Sequence, residues 1–211
     1  MRFNDLKRFS NLYVFTKESL RQIEPNETTL NYNLYYWFKK GSVVSLKKGL
    51  YIFKDKWDKE ENKGRLLEFL ANKMYEPSYL SCEYVMNKYG LLSEAVFNLT
   101  SISTRKTKVY RNLLGTFYYY SITPDLFIDY SISRDGLLPV YIAKKEKSVF
   151  DYLYLRFLKN VLINEKTIEE LRINWEKLGK SEFLSLFKYS KLSRNKRIRE
   201  VINVIKERFY A

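Results

Sequence analysis

Three observations predict an α+β fold for this chain. Apolar residues recur every three to four positions up to about residue 40 and again beyond residue 145, the spacing of helices that bury one face. Between about residues 96 and 143 the pattern changes to short extended runs. The 211 residues, 45% hydrophobic and 29% charged, suffice for a sizeable core and are too apolar for wholesale disorder. The expected architecture is an N-terminal unit of helices and a hairpin over residues 1–54. A mixed α/β domain over 55–211 follows, with a helical C-terminal part.

In the N-terminal unit, Phe3, Leu6 and Phe9 mark a first helix from Arg2 to Phe9. Leu12–Phe15 reads as extended. Thr16 is placed to cap a short helix with Glu18 in its first turn, where a carboxylate complements the helix dipole, and Pro25 stops that helix. Asn26 caps the next one, which runs with Glu27 just inside it to about Lys40 and ends at Gly41. Val43–Leu46 and Leu50–Phe53 are strands joined by Lys47-Lys48-Gly49, a hairpin with glycine at its turn. Helix, helix, helix, hairpin is the order of a winged helix-turn-helix.

The third helix has two unlike faces. At 100° per residue, Leu30, Leu34, Trp37 and Phe38 cluster on the side that faces the core. The opposite side presents Thr28, Thr29, Tyr32, Tyr35, Tyr36 and Lys39, and no acidic residue. Hydroxyls with a cation suit phosphates and base edges, whereas carboxylates would be repelled. The alternative is that these tyrosines pack against the rest of the protein. Lys47 and Lys48 at the hairpin tip can reach a phosphate or a minor groove, as point charges that position the protein without reading sequence.

The segment Lys54–Lys63 reads as a polar linker. Its Asp55, Asp58, Glu61 and Lys63 are the one set that could serve a carboxylate-plus-lysine nuclease holding magnesium. They read as a chance grouping in a chain rich in Lys and Glu, and a linker is a poor place to preorganise a metal. Helices are expected at Gly64–Met74 and Cys82–Tyr89, and strands at Val96–Ser103, Lys108–Arg111, Thr116–Ile122 and Val140–Ala143. Phe117, Tyr119 and Ser121 alternate with Tyr118, Tyr120 and Ile122, the mark of a core strand, although an aromatic strand beside cations also makes a base-stacking platform. A helix from Lys145 to Leu158 buries Val149, Phe150, Leu153 and Phe157. Three more, Thr167–Leu178, Ser181–Tyr189 and Ser193–Phe209, each open at a Ser or Thr cap. The last begins Arg194-Asn195-Lys196-Arg197-Ile198-Arg199, a second surface for an anion or an acidic partner.

Composition narrows the function classes. With 38 Lys+Arg against 24 Asp+Glu the net charge is +14, which draws polyanions, nucleic acid first. The excess sits at the ends: residues 1–54 and 159–211 each carry +6 and the middle +2. There is no histidine, one cysteine (Cys82) and no Gly-rich phosphate loop, so histidine-based catalysis, zinc sites and mononucleotide loops have no residues to use. No catalytic residue, metal ligand or cofactor is expected, and the chain reads as a non-enzyme. Met1-Arg2-Phe3-Asn4-Asp5 has no signal-peptide core, and no apolar run nears the roughly 20 residues that span a bilayer. The expectation is a cytoplasmic protein with no membrane partner.

Several short blocks carry a family resemblance. Lys39-Lys40-Gly41 followed by Leu46-Lys47-Lys48-Gly49-Leu50-Tyr51-Ile52 resembles the end of the recognition helix and the wing of AbiEi-family antitoxins. Pro77-Ser78-Tyr79-Leu80-Ser81 and Tyr89-Gly90-Leu91-Leu92 look like the helical segment that follows there. Thr100-Ser101-Ile102-Ser103, Arg105-Lys106-Thr107 and Phe117-Tyr118-Tyr119 are similar to its central strands. Ile142-Ala143, Glu146-Lys147 and Phe150-Asp151 look like its next helix start. Lys145 stands where the family has proline and Ser148 where it has alanine, and residues 159–211 match no part of it.

The resemblance implies an antitoxin of a type IV toxin–antitoxin or phage-defence locus. Its winged helix would repress the shared operon, and its C-terminal domain would counter a nucleotidyltransferase-like toxin. The residues by themselves reach double-stranded DNA, the chain's own operator, contacted by Thr28, Thr29, Tyr32, Tyr36, Lys39, Lys47 and Lys48. Arg194, Lys196, Arg197 and Arg199 form the second anion or partner surface. A stand-alone regulator without a toxin, or an RNA-binding or scaffold protein using the basic last helix, are the alternatives.

Overall fold

The computed structural model describes residues 3–9, 11–134 and 138–210, so Arg2, the expected start of the first helix, lies outside it. The chain is mixed α+β with a helical C-terminal part. It divides into two compact units, Met1–Leu70 with Tyr110–Thr116, and Ala71–Val109 with Phe117–Ala211.

The first unit opens with a 3-10 helix, Phe3–Phe9. Then come β1 (Phe15–Thr16), α1 (Lys17–Arg21), α2 (Glu27–Lys39), β2 (Val43–Lys47), β3 (Leu50–Phe53), α3 (Lys54–Lys59) and the start of α4 (Lys63–Met74). Local chemistry sets the boundaries. Thr16 caps α1, accepting from the Ser19 N–H at 3.0 Å, and Asn26 caps α2, accepting from the Thr29 N–H at 2.9 Å. Gly41, at φ +67°, takes the left-handed conformation that ends α2. β1, β3 and β2 form a three-stranded antiparallel sheet with β3 in the middle, Phe15 opposite Tyr51 and Val44 opposite Ile52. Leu6, Phe15, Leu20, Leu30, Leu34, Trp37, Val43 and Phe53 make the core. Phe15 and Phe53 meet there at 4.6 Å between ring centres.

Two expectations in this unit need correcting. Phe38 is not on the core face of α2; it is 45% exposed, and Leu30, Leu34 and Trp37 bury the helix without it. The stretch read as a linker contains α3. This helix has no fully buried residue, so the core does little to hold it. Its support is local: Lys54 pairs with Asp58 and Lys59 with Asp55, both at i,i+4, and the Lys63 ammonium donates to the carbonyls of Trp57, Asp58 and Glu60 at its end.

The second unit is built on a mixed sheet, apart from residues 110–116 in two of its strands, which belong to the first unit. After β4 (Ser78–Leu80) and α5 (Cys82–Lys88) come β5 (Leu99–Ser103), β6 (Lys108–Asn112), β7 (Gly115–Ser121), β8 (Tyr130–Ser133) and β9 (Val140–Ala143). The strand order is β6-β7-β5-β4-β9-β8. β4 is central, antiparallel to β5 with Tyr79 opposite Ile102 and parallel to β9 with Leu80 opposite Ile142. Along β7, Phe117 and Tyr119 are buried, while Tyr118 and Tyr120 lie parallel to each other on the half-exposed side.

Helices α6 (Lys145–Phe157), α7 (Glu165–Glu169), α8 (Lys180–Ser193) and α9 (Lys196–Phe209) complete it. The helix expected over Thr167–Leu178 is instead α7 plus a separate 3-10 turn, Trp175–Lys177, with Arg172 left-handed between them. Asn164, Gly179 and Asn195 cap the last three helices in place of the expected Ser and Thr. α9 buries Ile198, Val201, Ile202 and Ile205 along one stripe.

Candidate nucleic-acid interface

The outer face of α2 is the most unusual surface of the first unit. Tyr32, Tyr35 and Tyr36 are 69%, 61% and 47% exposed, far more than an aromatic residue needs to be in a chain with a full core. Thr28, Thr29 and Lys39 are exposed beside them. The side-chain hydroxyls of Thr28, Thr29, Tyr32 and Tyr36 have no hydrogen-bond partner among the described residues. The ammonium of Lys39 lies over the Tyr35 ring at 5.5 Å and that of Lys40 over Tyr36 at 5.7 Å. Those contacts hold two cations against the aromatic surface without neutralising them.

The one carboxylate of α2 is spent elsewhere. Glu27 takes an ion pair from Arg21 and another from Lys17 at 2.6 Å, and these hydrogen bonds, Arg21 first, hold its carboxyl down at about 2. Its negative charge is matched by Lys17 and Arg21 at the two ends of α1. The rest of the helix offers hydroxyls, rings and lysines.

The hairpin places its two lysines differently. Lys47 belongs to β2, opposite Leu50 after a register shift, so the turn itself is Lys48-Gly49 with Gly49 at φ +84°. That left-handed position favours glycine. Lys48 is exposed, whereas Lys47 is half-buried with its ammonium 5.9 Å from the centre of the Tyr110 ring. The segment Tyr110–Thr116 braces the same hairpin, Asn112 donating to the Leu46 carbonyl at 2.9 Å. The Lys17 N–H donates to the Gly49 carbonyl at 3.0 Å, tying the start of α1 to the turn. Sequence spacing treats the two lysines as equals; the bracing segment, far away in the chain, separates them.

The second predicted surface lies in the second unit. Arg194 is exposed and left-handed at the end of α8, and Lys196 and Arg199 are exposed on the first turn of α9. Arg197 is turned inward: its guanidinium donates to the carbonyls of Phe157, Lys159 and Val161, satisfying the end of α6. Three of the four cations are therefore exposed, and the fourth is a structural clasp.

The acidic residues Asp55 and Asp58 are held in the ion pairs of α3, and no group of three metal-ligating side chains occurs among the described residues. No helix among them is long and apolar enough to cross a membrane. Comparison with protein-family models and with curated proteins returns no match to this chain.

Proposed function

We propose that this chain is a non-enzymatic, DNA-binding regulator that reads its own operator through a winged helix-turn-helix. In this reading α1 and α2 are the helix-turn-helix, α2 enters the major groove, and the β2–β3 hairpin is the wing. The observation that carries it is the outer face of α2. Thr28, Thr29, Tyr32 and Tyr36 keep their hydroxyls unpaired beside Lys39 and Lys40, and the helix's only acid is locked in ion pairs with Lys17 and Arg21. Hydroxyls and cations without competing carboxylates match phosphate oxygens and base edges. Lys48 supplies a backbone contact from the wing. Lys47, half-buried beside Tyr110, positions the hairpin more than it touches DNA.

The finer reading is an AbiEi-type antitoxin, which represses the operon it shares with a nucleotidyltransferase-like toxin and counteracts that toxin in the cytoplasm. The ordered blocks from Lys39 to Asp151 support it. A second reading draws on the same exposed rings: a tyrosine-rich face is also what a protein partner would cover.

The deciding experiment is a titration of the full chain on its own upstream DNA against a shuffled fragment, at low and physiological salt. Specific binding that survives salt and falls at least tenfold in a Tyr32→Ala/Tyr36→Ala variant is the expected result. Equal, salt-collapsing binding to both fragments would sink the regulator reading and leave generic charge. Co-expression with the product of the adjacent gene then tests the antitoxin: growth rescue is expected, and its absence leaves a stand-alone regulator.

A further inference from the structure

The second unit contains a cleft of about 550 Å³ between the start of α5, the outer side of β7 and the far end of α6. Its size falls in the range of roughly 300–1,000 Å³ usual for small-molecule sites. Glu83 lies in it half-buried, with no ion pair or hydrogen bond to another described residue. Tyr120 and Tyr152 line it, their hydroxyls likewise without a described partner, and Arg156 and Lys159 stand exposed at its rim, their side chains without an ion pair or hydrogen bond among the described residues. Burial raises the Glu83 carboxyl, and burial and then Glu83 raise both phenols, so the three groups share one poorly solvated space. Arg156 lies near enough to act on both Glu83 and Tyr152. Cys82, beside Glu83, holds a left-handed backbone at φ +54°, a strained conformation for a side-chain-bearing residue and one that gathers at ligand sites. Burial also keeps its thiol protonated, so the cleft offers rings and charges and no nucleophile.

An acceptor-only carboxylate, two aromatic walls and two cations are an asymmetric set. A purely apolar ligand would leave Glu83 and Arg156 without partners. A bare phosphate would meet Glu83 as a like charge and leave the rings unused. Tyr152 and Arg156 are one helical turn apart, about 6 Å along α6. That separates the ring from the cation much as a sugar separates a base from its phosphate. We infer that this cleft binds a nucleoside phosphate, with Glu83 accepting from an amino group of the base, Tyr120 and Tyr152 flanking the ring, and Arg156 with Lys159 holding the phosphate. The site is independent of the α2 face and of the DNA-binding reading.

Calorimetric titration of the full chain with GMP, AMP, CMP and UMP, and with the matching nucleosides, tests it. Saturable binding of one nucleotide per chain is expected. GMP, AMP and CMP should bind more tightly than UMP, which has no amino group, and each nucleoside about tenfold more weakly than its phosphate, a single charged contact's worth. Arg156→Ala/Lys159→Ala should erase the advantage of phosphate over nucleoside, and Glu83→Gln should erase the discrimination against UMP. Lys39→Ala/Lys48→Ala on the other unit should change neither. Arg156 and Lys159 are exposed, so that variant should melt as the parent does; the near-isosteric Glu83→Gln carries the test if it does not. Competition by a 5′-phosphorylated tetranucleotide would assign the site to a strand end, and failure to compete to free nucleotides; both retain the site. No saturable binding, or binding unchanged in the cleft variants, overturns it.

Discussion

Lys147 and Asp151 are fully buried one turn apart on α6, an ion pair in the heart of the second unit. Burial pushes the Asp151 carboxyl up, and Lys147, Ser81 and Tyr79 pull it back by hydrogen bonding to it. The Ser81 hydroxyl donates at 2.7 Å, and Tyr79 donates at 3.0 Å while accepting from Lys147 at 2.9 Å. The ammonium is also ringed by Tyr79, Phe150 and Tyr189 at 5.5–5.7 Å. β4 delivers Tyr79 and leads into Ser81, so the network bolts the central strand to the helix. Removing one charge leaves the other buried and alone: Asp151→Ala should cost about 3–5 kcal/mol, read from urea unfolding. Lys147→Met/Asp151→Leu, which removes both charges, should recover most of that. A single variant as stable as the parent would show that the pair is not charged. In the sequence a Lys and an Asp at i,i+4 look like a solvated surface pair. Only the fold, by laying β4 over them, makes them core.

At the scale of elements, the helices whose ends carry chemical signals were the legible ones. Thr16, Asn26 and Gly41 set the limits of α1 and α2, and the structure uses all three. β4 has three residues, too few for periodicity to register, and its pairing partners lie elsewhere in the chain. α3 leaves no apolar periodicity to read because the ion pairs that support it are polar, and the apolar pattern over Thr167–Leu178 continues past the end of α7 through a left-handed Arg172. The α1–α2 corner makes a prediction of its own. Glu27 titrates near 4.5 when unfolded and near 2 when folded, since Arg21 and Lys17 favour its charged form. A depressed carboxyl gives stability that is present in full above about 4.5 and lost as pH falls towards 2. Glu27→Gln should therefore melt below the parent at pH 6, with the gap closing by about pH 2. Parallel melting curves across that range would mean the corner contributes nothing.

For the molecule as a whole, the sequence shows how much charge there is and roughly where, but not which charges are available. Both ends carry a net +6, yet Arg197 is consumed by backbone carbonyls and Lys47 is half-buried beside Tyr110. The two basic regions also lie in different compact units, so a DNA complex that uses the α2 face need not draw on the α9 cations. Each phosphate contact releases counterions, and log affinity falls with log salt at a slope of about −0.9 per contact. Lys39→Ala and Lys48→Ala should each reduce the magnitude of that slope by about one on operator DNA. Arg194→Ala/Arg199→Ala should leave it unchanged. If instead all four substitutions flatten the slope alike, DNA is held by diffuse charge over both units. The α2 face would then be free for a protein partner, and its exposed tyrosines would be read as that partner's seat.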